Sequence, residues 1–129
     1  MADYANGTFS QGTTGNSSIV GLTFLPKYMR FTISGRFGTT ETVVQFSQGF
    51  TDGTNQSAHS IFQDSTSSRS KAYTNRCVNH FQRVSGSITE KLVATFVSFD
   101  NNGSGDYGFT LNFTAADSNY QIHFEAFGA

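Results

Sequence analysis

The chain has 129 residues, only 13% of them charged, and a net charge of −1. That length suits one domain with a modest core. So few cations argue against an electrostatic hold on nucleic acid, which needs clustered Lys and Arg.

Hydrophobic residues make up 36% of the chain, but 14 Phe and 5 Tyr are among them. Each buried ring removes a large area from water, so the core is expected to be built on Phe rather than Leu. Ser, Thr, Asn and Gly dominate the rest; they favour turns and strands and weaken helix interiors. No apolar run has helical spacing, and period-two alternation recurs instead. The expectation is an all-β chain.

The chain opens Met1-Ala2-Asp3-Tyr4, with no basic segment followed by an apolar one. Synthesis in a cytoplasm is therefore expected, with export by lysis or on a particle. No apolar run is long enough to span a membrane. Residues 1–18 are polar and Gly-rich and read as an arm or edge strand, and residues 19–129 as a single β-domain. A short strand is expected over 16–22, followed by a turn at Pro26, whose ring fixes the chain direction. Over 28–34, Met29, Phe31 and Ile33 alternate with Tyr28, Arg30 and Thr32, which predicts a half-buried strand. Residues 42–48 alternate likewise through Val44 and Phe46. Residues 50–70 read as a long polar loop with a short strand near Ser60-Ile61-Phe62. Cys77 is the only cysteine; it excludes an intrachain disulfide and reads as a small buried hydrophobe.

Residues 78–84 are a further strand. The strongest signal lies over 90–99, apolar on both faces: Leu92, Ala94 and Phe96 on one, Val93, Val97 and Phe99 on the other. A strand of that kind is either central or buried against another chain, so Leu92, Ala94 and Phe96 are a candidate subunit interface. Strands over 109–113 and 120–126 close the chain. About six to seven strands without a helix argue for an antiparallel β-sandwich.

Asp100, Asn102, Ser104 and Asp106 alternate, with Gly105 before the last, as oxygen ligands do in calcium loops. The closing bidentate Glu is absent, since Leu111 stands there, and Asn102-Gly103 is an ordinary tight-turn signal. A plain turn is the expectation, and calcium the alternative; no other cofactor is indicated.

The segments Val97-Ser98-Phe99-Asp100, Gly108-Phe109-Thr110-Leu111-Asn112-Phe113 and Ile122-His123-Phe124-Glu125-Ala126-Phe127-Gly128 resemble the end of H-type lectin domains. That resemblance implies a six-stranded antiparallel sandwich, a homotrimer and sugar binding. Leu25-Pro26-Lys27-Tyr28-Met29-Arg30-Phe31 matches the family's strand after a proline turn, whereas the family's Trp near the last strand is missing. Gly7-Thr8-Phe9, the stretch from Gly21 to Lys27 and the Gly-Phe-Thr-Leu ending resemble small virion proteins of tailed bacteriophages. This second resemblance implies a place on the virion surface among other virion proteins, as a capsid decoration, head fibre or tail tip.

Catalytic motifs are missing. There is no nucleophile elbow, zinc helix or phosphate loop, and no carboxylate pair has glycosidase spacing. The expectation is a non-enzymatic surface protein; the alternative is an adhesin for host-surface glycans. Tyr73 and Tyr107, beside the polar loops, are candidate ligand contacts, although both also read as packing at strand ends. His123 and Glu125 share the polar face of the last strand and complete the candidate set, against the plainer reading of a solvated face.

Overall fold

The computed structural model describes residues 3–35, 43–84 and 86–128. Its regular structure among these residues is ten antiparallel strands in two sheets, a β-sandwich. The larger sheet holds β1 (Tyr4–Phe9), β10 (Ile122–Phe127), β3 (Tyr28–Ile33), β4 (Val44–Thr51), β5 (Gln56–Gln63) and β6 (Ser68–Tyr73), in that spatial order. The smaller holds β2 (Gly15–Leu22), β9 (Asp106–Ala115), β8 (Ser87–Gly103) and β7 (Val78–Val84).

The strand count exceeds expectation because three strands carry little apolar signal. β1 is Tyr-Ala-Asn-Gly-Thr-Phe, β5 contains one Ile and one Phe, and β6 is Ser-Arg-Ser-Lys-Ala-Tyr. The strand expected near Ser60-Ile61-Phe62 is part of the longer β5, and the polar stretches on either side of it are hairpin turns to β4 and β6. Each is closed by an aspartate that accepts two backbone N–H bonds. Asp52 Oδ1 takes those of Thr54 (2.9 Å) and Asn55 (2.6 Å), and Asp64 Oδ1 those of Thr66 (2.9 Å) and Ser67 (2.8 Å). Expected strand ends shift by a few residues: the strand expected over 42–48 is β4, ending at Thr51, and Thr42 lies outside the described residues.

The alternation along β3 is as the sequence predicts: Met29, Phe31 and Ile33 are buried and the residues between them face outward. The core is built on Phe. The rings of Phe109 on one sheet and of Phe31 and Phe124 on the other meet at 5.8 and 5.2 Å. A second, smaller cluster joins Phe62, Tyr73 and Phe81. Between β4 and β7 the sheets approach so closely that a Cβ on Gly49 would stand 1.6 Å from the Cys77 carbonyl oxygen. Only glycine fits there.

The interface assigned to β8 is corrected by the fold. Leu92 and Ala94 are fully buried against the chain's own opposite sheet, so they present nothing to a second copy. Phe96 packs on the same core. The two apolar faces of β8 have a local cause: the ladder with β9 shifts between Phe96 and Ser98, so Val97 is an extra residue. That bulge resets the alternation. Phe99, expected on the opposite face, stacks edge-on against Phe96 at 4.7 Å, and Val97 is left exposed.

Candidate functional site

The two outer faces of the sandwich differ in chemistry. On the four-stranded sheet the outer face is a ladder of hydroxyls and amides, with single valines exposed at Val20 on β2 and Val97 on β8. Ser18 and Thr110 share a hydrogen bond at 2.7 Å, Thr110 donates to Asp100 at 2.6 Å, and Asn16, Asn112 and Thr95 lie in one cross-strand row.

The outer face of the six-stranded sheet is richer in rings. Tyr4, Phe127, Tyr28 and Phe50 form a run of tilted contacts, with successive centroids 5.3, 5.1 and 4.8 Å apart. Val44 and Phe46 on β4 project outward and are 55% and 42% exposed, an unusual outlay for two large apolar side chains so close together. Between Phe46 and the Tyr28–Phe50 pair the sheet dips into an open groove of about 680 Å³, with Arg30, Gln48 and His59 on its surface. Strand alternation places these side chains there: Arg30 is opposite Phe50, and Gln48 is opposite His59. None of the three was singled out as a candidate from sequence. The signal was the same alternation that located the core, read for the outward residues.

Their hydrogen-bonding capacity is only partly used. Arg30 pairs with Glu125 at 3.1 Å and lies over the Phe127 ring, but its Nε is buried without a partner. His59 Nε2 bonds Ser70 at 2.9 Å. The Gln48 amide has no partner among the described residues.

Two of the four expected ligand contacts lie on this sheet face, away from the groove's centre. Glu125 is held by Arg30 and by the Tyr4 hydroxyl (3.0 Å). His123 is exposed on the same strand, opposite Thr8 and Thr32. Tyr73 is mostly buried in the smaller core cluster. Its hydroxyl donates to Glu90 at 2.6 Å, and burial with that carboxylate pushes its pKa up to about 12. Arg76 stacks over its ring at 4.0 Å. Tyr107 packs half-buried against the main core, opposite Leu22 and Asn101. The structure thus brings His123 and Glu125 together on one strand, places Tyr73 in the wall of the groove while it packs in the smaller core cluster, and packs Tyr107 against the main core.

The Asp100–Asp106 segment is a hairpin, the plain turn that the sequence predicts. Gly103 pairs with Asp106, and Ser104 and Gly105 between them have φ of 55° and 78°, as a tight two-residue turn of the primed type requires. The two carboxylates have separate duties: Asp100 accepts from Ser98 and Thr110, and Asp106 accepts the Gly21 N–H at 2.7 Å. Among the described residues no group of three His, Cys, Asp or Glu side chains is placed to hold a metal ion.

One arrangement resembles a nucleophile and its base. Ser47 Oγ lies 2.6 Å from His80 Nδ1. Both residues are sealed between the sheets, at 1% and 0% exposure, so no substrate bond can reach the hydroxyl. The network around them is structural. Ser47 donates to Ser60 at 3.0 Å, Ser60 donates to the Asn79 carbonyl, and the Asn79 amide returns a bond to Ser60 at 2.9 Å. Because the Ser47 proton goes to Ser60, the proton in the Ser47–His80 bond is on Nδ1. Nε2 is left as a bare, buried lone pair beside the Tyr120 ring. Burial brings the His80 pKa down to about 4 and pushes the Cys77 thiol up to about 12.

No family model, curated protein or solved structure matches the chain. Among the described residues no helix is long and apolar enough to cross a membrane.

Proposed function

We propose that the chain is a non-enzymatic surface protein of a tailed-phage particle, a capsid decoration, head fibre or tail-tip component. In this reading the outer face of the six-stranded sheet meets its partner, either a neighbouring virion protein or another copy in a homotrimer. The observation that carries the proposal is the contrast between the two outer faces. One is a hydroxyl ladder with scattered single valines, Val20 and Val97, and the other sets Val44 and Phe46, two residues apart on one strand, beside a run of rings. Exposed apolar surface rimmed by polar groups is the usual mark of an interaction site. The resemblance of the Gly7–Phe9 and Gly21–Lys27 segments to virion proteins supplies the particle.

A second reading, an adhesin for host-surface glycans, is favoured by the groove, where rings stand next to under-used polar side chains. One assay separates the two. Labelled protein is offered to phage heads lacking surface proteins and to intact bacterial cells, with free sugars as competitors. Saturable binding to heads that sugar does not disturb supports the structural role. Binding to cells that sugar abolishes supports the adhesin and removes the capsid assignment.

A further inference from the structure

We infer that the groove on the outer face of β3, β4 and β5 is a binding subsite for an acidic sugar, a pyranose ring bearing a carboxylate. The inference rests on the adhesin reading above and specifies its surface and its ligand class.

Three observations point to this chemistry. The groove's volume, about 680 Å³, lies within the range of small-ligand clefts, and it is open along one side, as a chain-end or mid-chain sugar requires. Its walls are rings: Tyr28 and Phe50 in contact at 4.8 Å on one side, Phe46 on the other. The flat C–H face of a pyranose lies well against such surfaces, which offer apolar area with a negative π face.

The polar groups then set the ligand's charge. Gln48 offers an amide with no partner among the described residues, which can donate to one hydroxyl and accept from its neighbour. His59 uses only Nε2 within the protein. Arg30 spends one terminal nitrogen on Glu125; its Nε is buried, and the other terminal nitrogen, on a side chain 41% exposed, is the donor it offers. Apart from tyrosine, the ionisable side chains lining the groove are Arg30 and His59, and no Asp or Glu lines it among the described residues. A site for neutral sugars needs strong acceptors for hydroxyl protons. This groove is dominated by donors, so the ligand must supply the strong acceptor. A carboxylate does so, and a guanidinium fork fits it.

The probes are methyl glucuronide and methyl glucoside, which differ only in the carboxylate, titrated into the full chain and followed by amide NMR shifts. Saturable shifts on β3, β4 and β5 with the glucuronide are expected, with a Kd on the order of 1 mM, typical of one small subsite. The glucoside should bind at least about tenfold more weakly. Gln48→Ala, at an exposed position without side-chain partners among the described residues, should weaken glucuronide binding about tenfold, as should Arg30→Gln. Equal affinity for the two sugars would overturn the acidic specificity and leave the adhesin reading intact. Sugar-competed binding to cells without shifts on these strands would move the site off the groove. Binding to no sugar, together with no sugar-sensitive binding to cells, would remove both the subsite and the adhesin.

Discussion

Acid should weaken this fold well before its carboxylates titrate, and His80 should be the cause. Its ring is fully buried, and its pKa falls from 6.5 to about 4 because the charged form would lose water without gaining a partner. The unfolded chain therefore takes up a proton near pH 6.5, while the folded chain refuses it until about pH 4. The His80 contribution is complete above the first value, declines as pH falls through the window, and levels off below the second. At about 1.4 kcal/mol per pH unit, going from pH 7.5 to 4.5 should remove about 2.5 kcal/mol. That is a large part of the roughly 5–15 kcal/mol that holds a domain of this kind together. Urea unfolding at several pH values measures the loss. His80→Gln, which cannot titrate, should start less stable, because it disturbs the Ser47–Ser60–Asn79 network, but should lack the wild-type decline between pH 7.5 and 4.5. Parallel pH profiles for wild type and variant would refute the argument, as would a His80 imidazole NMR signal that shifts near pH 6.5.

Other consequences follow from single contacts. Gly49→Ala should cost more than about 3 kcal/mol, or prevent folding, because its Cβ would meet the Cys77 carbonyl at 1.6 Å; a thermal melt showing a near-native midpoint would contradict the sheet spacing. Cys77 should resist thiol reagents in the native state and react fully in denaturant, since burial pushes its pKa up to about 12. Gly105→Ala should lower stability by about 1 kcal/mol through its positive φ. Excess calcium and chelator should give the same melting temperature, because Asp100 and Asp106 already serve as separate hydrogen-bond acceptors.

Much of the fold is legible in the sequence, for a physical reason. Where one face of a strand is buried, alternation is forced, and Met29, Phe31 and Ile33 show it plainly. The Phe-rich composition likewise announces a core of rings. The signal fades where a strand is polar on both sides. β6 lies at the sheet edge, five of its six residues are exposed, and its Ser, Arg and Lys read as loop. Inward-pointing Arg69 and Lys71 also keep that edge from pairing with another chain, a demand that period-two counting does not register. The bulge at Val97 is invisible to alternation and moved Phe99 to the wrong face. The candidate site was hidden differently. Arg30, Gln48 and His59 come from three strands, and only the β3–β4–β5 register makes them neighbours. Tyr107, read as a ligand contact from its place beside a polar segment, packs against the main core, whereas Tyr73 both packs under Arg76 and lines the groove.

The central claim is that the outer face of the six-stranded sheet is the working surface. It is tested most directly by placing one charge on each outer face: Phe46→Asp on β4 and Thr95→Asp on β8, each checked for a wild-type melt. Binding is then measured to whichever target, stripped heads or cells, holds the wild-type chain. Phe46→Asp should abolish saturable binding and Thr95→Asp should leave it unchanged. Undiminished binding by Phe46→Asp, or loss confined to Thr95→Asp, would contradict the account.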